Sequence, residues 1–300
     1  MERLGYSSIK HRPRVVWPDG ARVALWVTPN IEYYELLPPA DPVRKHFAWR
    51  ARSPHPDVVS YGVRDYGNRV ALWRFIELMD KHGIRATASI NAAVFDHLPE
   101  VPAALIERNW DFMCHGIYNT RYVWGMERES ERALIADGVE TVRRHTGRML
   151  AGWIGPGLSN TVNTPDLVAE AGIKYYGDFG QHDDQPFPLK VERGRLITLP
   201  YSSNLGDAIN ERQGHEAEDF ARFIVDYFDT LYAEGAGQAR VLALNLHPYI
   251  IGQPHRIDHL DRALTYICGH PHVWKATGEE IADWYYAHYY DEMAQFLPVG

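Results

Sequence analysis

Apolar positions along this chain follow two alternating rhythms. Short apolar-rich runs at 23–27, 85–90, 111–114, 152–154, 174–176, 196–199, 240–246 and 273–276 read as buried strands. Between them, apolar residues recur every three to four positions, as Leu72, Phe75, Ile76 and Met79 do, and this spacing predicts helices. The helices so predicted span 69–82, 99–109, 127–145, 164–171, 215–234, 258–269 and 278–290. Punctuation supports the boundaries: Pro99 opens one helix, while Gly83, Gly147 and Gly172 each stop another. Residues 36–63 are rich in Pro, His and Arg without a period, and read as a long loop.

Strand–helix alternation through the whole length predicts an α/β protein whose parallel strands are covered by helices. Seven or eight strands suit a barrel better than a doubly wound sheet. A single domain over 1–300 is expected. The strand–helix junctions carry no Gly-rich phosphate loop, which argues against dinucleotide binding.

Composition narrows the function classes. Of 300 residues, 45% are hydrophobic and 23% charged, enough to bury a sizeable core. The net charge of -8 argues against a nucleic-acid or anionic-membrane surface. The longest apolar runs fall short of a membrane span, and the first residues show no apolar signal core. Two cysteines, Cys114 and Cys268, cannot make a disulfide framework, so a reducing cytoplasm is expected.

In such a barrel the reactive side chains sit where strands end. The first strand runs out at Asn30 and Glu32, the third at His115, the fourth at Trp153 and Pro156, the fifth at Asp178 and the Leu242 strand at His247. Two imidazoles and a carboxylate thus converge from distant parts of the chain. A second histidine four residues after His115 would allow zinc to be shared, but that position is Asn119, a poor zinc ligand. Plainer readings exist for each: Glu32 as a solvated loop carboxylate, the histidines as structural, Asp178 as a loop cap and Asp183-Asp184 as a solvated acidic turn. Cys114 reads as buried and inert rather than nucleophilic. Trp284, Tyr285 and Tyr289 read as core or subunit contact.

These junctions, in this order, resemble the polysaccharide deacetylase (NodB-homology) family over about residues 15–290. The carrying residues are Arg64-Asp65-Tyr66-Gly67-Asn68-Arg69, His115-Gly116, Leu246-His247-Pro248 and Gly252-Gln253-Pro254-His255-Arg256. The chain looks most like the branch containing metal-independent allantoinase and the cyclic imide hydrolases. The resemblance implies a distorted (β/α) barrel of about seven parallel strands. It also implies a small-molecule amide or ureide substrate and a homo-oligomer, a tetramer by analogy. The departures from typical deacetylases are specific. Asn30 and Glu32 stand in the region of two aspartates, Asn119 replaces the second histidine, and Ile154 takes the place of the Arg-x-Pro arginine.

A catalytic zinc usually keeps three protein ligands. Glu32 and His115 supply two, so no metal is expected. Zinc or another divalent cation on those two residues, completed by a third ligand such as His182, is the alternative. Without a metal, an unactivated acetamide is hard to cleave. A cyclic imide or ureide is easier, because its leaving nitrogen is conjugated to a second carbonyl. The expected assignment has Glu32 and His115 activating water while His247 protonates the leaving nitrogen or steadies the oxyanion. Burial is expected to raise the Glu32 pKa. Asn30, Asn119, Trp153, Pro156 and Asp178 are expected to contact substrate. The competing readings are a metal-dependent N-deacetylase and a non-catalytic small-molecule-binding barrel.

Overall fold

The computed structural model describes residues 2–39 and 56–298. Among them nine strands form one curled sheet: β1 (Val23–Ile31), β2 (Thr87–Ile90), β3 (Asp111–Cys114), β4 (Gly152–Trp153), β5 (Tyr175–Tyr176), β6 (Phe187–Leu189), β7 (Leu196–Thr198), β8 (Arg240–Leu246) and β9 (Val273–Lys275). The order is β6-β7-β5-β4-β3-β2-β1-β8, with β9 also on β1. All pairs are parallel except β6 on β7. Parallel pairing brings the C-terminal ends of β1, β2, β3 and β8 to one rim.

Strand residues alternate between two cores, as a period of two requires. Val23, Leu25 and Val27 face the helices and pack with Phe75, Met79, Ile224 and Leu264. Ala24 and Trp26 face the barrel interior with Met113, Ile154, Tyr175, Ile197 and Tyr201. Each fully buried large apolar side chain contributes roughly 1.5–3 kcal/mol.

The expected barrel is present as a half-barrel, open between its terminal strands. Among the described residues β6 and β8 share no ladder. On that side β8 meets loop backbone, with Val241 N–H on the Asp184 carbonyl (2.9 Å) and Asn245 N–H on the Leu205 carbonyl (3.2 Å). β1 runs four residues past its expected end, through Pro29, because Asn30 and Ile31 pair with Ser89 and Ile90 of β2.

The expected loop at 36–63 needs correction. Part of it, residues 40–55, lies outside the described residues. Its last part is helical, in the helix Val58–Tyr66, which a π-helical turn at Gly67–Ala71 joins to the helix Leu72–His82. Asp57 caps it by accepting the Ser60 N–H at 3.2 Å. No residue of Val58–Tyr66 is fully buried, so no apolar stripe announced it. Among the described residues no helix is long and apolar enough to cross a membrane.

Candidate active site

Glu32 follows β1 directly, His115 follows β3, and His247 follows β8 and opens the short helix Pro248–Ile251. All three reach the same rim. Glu32 and His115 are 6% and 5% exposed, so both side chains act in a medium where charge is costly. Glu32 Oε1 lies 3.6 Å from His247 Nε2, and the Glu32 and His247 charges both act on His115.

The electrostatics separate the three groups. Burial opposes ionisation of Glu32. Although burial is the largest single influence, the charges of Arg64, His247 and His115 together outweigh it, and the carboxyl is held below its usual range. This corrects the expectation of a raised Glu32: the missing element was Arg64, whose Nε donates to Glu32 Oε2 at 3.2 Å. Burial also opposes the His247 imidazolium, but Asp207 overcomes it, so that pKa is raised. Asp207 Oδ1 sits 2.7 Å from His247 Nδ1, and Oδ2 accepts the His247 backbone N–H at 2.7 Å. His115 has no such partner, and burial pushes it down to about 4. Its Nδ1 lies 3.2 Å from the Ile154 carbonyl, which can only accept. Nδ1 therefore carries the proton, and Nε2 presents a lone pair.

Backbone and buried amides fix this arrangement. Asn91, fully buried after β2, donates through Nδ2 to the His115 carbonyl and accepts the Tyr33 N–H on Oδ1 at 2.8 Å. Gly116 has φ 68°, and a Cβ there would lie 2.7 Å from Pro156 Cγ, so only glycine fits. A Cβ on Gly252 would meet the Pro248 carbonyl oxygen at 2.5 Å and that of Ala71 at 2.8 Å. That glycine lets the turn after His247 pack closely on the π segment.

The substrate-contact expectations fare unevenly. Asn119 is buried near the rim, its backbone N–H on the Tyr33 carbonyl (3.0 Å), and its Oδ1 is without a hydrogen-bond partner among the described residues. Pro156 packs over Gly116. Asn30 turns inward instead: its Nδ2 donates to Tyr201 Oη (2.8 Å) and Asn245 Oδ1 (2.5 Å), making it part of the floor. Trp153 belongs to the outer core, where it packs towards Gly138 of the helix Arg128–Thr146. Asp178 accepts the Gly155 N–H at 2.8 Å and lines a separate cavity of about 670 Å³ with Arg3, Asn160 and Tyr176. His182 lines another, of about 530 Å³, with Arg12 and Phe187. Neither cavity includes Glu32, His115 or His247.

Other plain readings also change. Asp183 is not a solvated carboxylate, because it pairs with buried Arg12 at 2.6 Å. Cys114 is fully buried and its thiol is pushed up to about 12, which suits an inert core residue. Trp284 and Tyr289 hold the Val16 carbonyl, while Tyr285 is buried. Arg64 and Asp207 are the residues missed. Arg64 stood inside a quoted motif without a role, and Asp207 lay in a segment without a motif.

No family model matches the chain. A Schizosaccharomyces pombe protein named as a polysaccharide deacetylase is 27% identical over 241 residues, 73% of each chain. The peptidoglycan deacetylase of Helicobacter pylori is 21% identical over 260 residues, 76% of this chain and 87% of that one. A crystal structure described as a polysaccharide deacetylase of Pseudomonas aeruginosa superposes with a TM-score of 0.82 at 26% identity, over 92% of this chain and 95% of that one. The chain thus resembles polysaccharide deacetylases in both sequence and fold. Its curled sheet is the NodB fold that those deacetylase structures share. An allantoinase crystal structure fits nearly as well, with a TM-score of 0.80 and 26% identity over 93% of this chain and 95% of that one.

Polysaccharide deacetylases of this type are typically metal-dependent. The donor set here does not suit such an ion. Among the described residues no group of three or more His, Cys, Asp and Glu side chains is placed to share one. Asn119 offers only an amide oxygen, and the Glu32 carboxylate is already taken up by Arg64 and His247.

Proposed function

We propose that this amide (C–N) hydrolase opens a cyclic imide or ureide ring, of which allantoin is one example, without a metal ion. The observation that carries this reading is the Asp207–His247–Glu32 row beside neutral His115: 2.7 Å, then 3.6 Å, with the His247 imidazole raised and the Glu32 carboxyl lowered in pKa. Such a row supplies a base and an acid, as hydrolysis by general acid–base catalysis needs.

A water donates one hydrogen to Glu32 and the other to the Nε2 lone pair of His115. Its oxygen attacks the ring carbonyl as Glu32 takes a proton. The tetrahedral intermediate collapses, the C–N bond breaks, and the leaving nitrogen takes a proton from Nε2 of His247. The product is a ring-opened amide acid. The proton on Glu32 passes to His247, which Asp207 keeps protonated, and the cycle is restored. General acid–base assistance of this kind supplies roughly 10²–10⁴-fold. A conjugated leaving nitrogen lowers the remaining demand for carbonyl polarisation. Asn119 Oδ1, buried and open, is suited to accept the ring N–H.

The fit to the allantoinase structure favours this substrate class, and the poor donor set supports a metal-free reaction. The relatives named as deacetylases favour a second reading, removal of an acetyl group from an amino sugar. Incubating purified protein with hydantoin, succinimide, allantoin and N-acetylglucosamine oligomers, each with and without chelator, separates the two. Ring opening insensitive to chelator is expected. Acetate release that depends on added zinc, with no ring opening, overturns the proposal.

A further inference from the structure

We propose that Arg64 is the resident cation of this site: its guanidinium holds the Glu32 carboxylate in line and takes the place that a divalent ion bound through Glu32 would need. The idea rests on the reading of Glu32 as the group that handles water.

Both side chains are largely buried, at 12% and 6% exposure, and Nε of Arg64 lies 3.2 Å from Glu32 Oε2. The guanidinium is bracketed by two rings, 4.2 Å from the centre of Tyr34 and 4.6 Å from that of Tyr249. A cation between aromatic faces is attracted by both, and more strongly where water is excluded. The group is therefore anchored independently of its carboxylate partner. Four residues on, Asn68 Nδ2 donates to the Glu32 backbone carbonyl at 2.9 Å. One stretch of helix thus grips Glu32 at its carboxylate and its main chain. Tyr249 belongs to the helix that His247 opens, so the bracket links the base to the acid.

A guanidinium keeps its proton at any working pH. Its charge is therefore permanent, and it needs no loading from solution. A divalent ion brought to Glu32 would meet this fixed positive charge and a carboxylate already shared. Removing the guanidinium therefore has two separable consequences: the carboxylate loses its alignment, and it becomes free to bind metal.

The test uses the full chain, zinc chloride as the probe, and the variants Arg64→Lys, Arg64→Met and Arg64→Met with Asn119→His. Calorimetric titration with zinc reads binding, and thermal melting confirms that each variant folds. Zinc is expected to bind Arg64→Met at least about tenfold more tightly than wild type, and the double variant more tightly still. Replacing Glu32 with Ala in that background should abolish the gain. In turnover, Arg64→Met is expected to lose roughly 10²-fold in kcat with KM little changed. Added guanidinium chloride should restore part of the loss, and Arg64→Lys should lie between. Stoichiometric zinc on wild type that Glu32→Ala removes, wild-type kcat in Arg64→Met, or a loss with neither guanidinium rescue nor gained zinc affinity overturns the proposal. Full turnover in Glu32→Gln overturns the water-handling reading instead. The zinc arm still stands there, since it reads binding rather than turnover.

Discussion

His247 Nε2 and Glu32 Oε1 lie 3.6 Å apart, and each is held in the charge state opposite to the other's. Asp207 raises the imidazole pKa while Arg64 leads in lowering that of the carboxyl. On the proposed reading, the pair serves as acid and base, with buried His115 as its uncharged companion. Charge order in this site runs Asp207, His247, Glu32, Arg64, alternating in sign along one line of contacts.

Replacing Glu32 with Gln keeps the shape and removes the base. Ring opening should fall by roughly 10²–10⁴-fold in kcat. Steady-state assays by chromatography of the ring-opened product check this, and an unchanged kcat rejects Glu32 as the base.

Asp207→Asn should act through His247. Without the carboxylate the imidazolium loses its support, and its pKa drops towards or below the ordinary 6.5. We expect kcat to fall on the order of 10²-fold, with the alkaline limb of the rate profile moved to lower pH. A loss of rate with an unmoved limb would show that Asp207 only holds the backbone of His247.

The wild-type profile follows from the same shifts. Activity should be lost on acidification below the usual carboxylate value of 4.5, where Glu32 takes its proton, and on the alkaline side above 6.5, where His247 gives up its own. His115, pushed down to about 4, stays neutral across the plateau. A profile with its acid limb near 6.5 contradicts this assignment.

Asp178 gives a stability prediction of definite sign. Burial pushes its carboxyl up to about 7 in the folded chain, against 3.8 ordinarily. The folded protein thus keeps a proton that the unfolded chain releases, and stability falls as pH rises from about 4 to about 7. Asp178→Asn retains an acceptor for the Gly155 N–H and removes the ionisation. At pH 8 it should be more stable than wild type by about 1–4 kcal/mol, and at pH 4 no more stable. Denaturant melts at the two pH values decide it.

Gly116→Ala should cost about 1–3 kcal/mol from its left-handed backbone alone, and more from the clash with Pro156. Because His115 immediately precedes it, activity should fall further than stability. Parallel melting and turnover measurements test that difference.

Most of the sheet was legible because most strands bury both faces and so read as apolar runs between helical periods. The short β6 was not, since Phe187-Pro188-Leu189 shows no alternation and its proline weakens a strand reading. The apolar run of β1 stops at Val27, whereas its pairing with β2 continues through Asn30 and Ile31. The rim positions of Glu32, His115 and His247 followed from strand ends alone. What sequence could not reveal was contact across long separations. Arg64 meets Glu32 from 32 residues away and Asp207 meets His247 from 40. Trp153 and Asn30 were assigned to the substrate because they stand at strand ends. Which face each side chain takes there depends on the pleat and on partners such as Tyr201 and Gly138.

Asn91 carries a mechanical implication. By gripping main chain beyond both β1 and β3, it couples the loop that bears Glu32 to the loop that bears His115. On the proposed mechanism, this tie fixes the spacing of the two groups that would hold the attacking water.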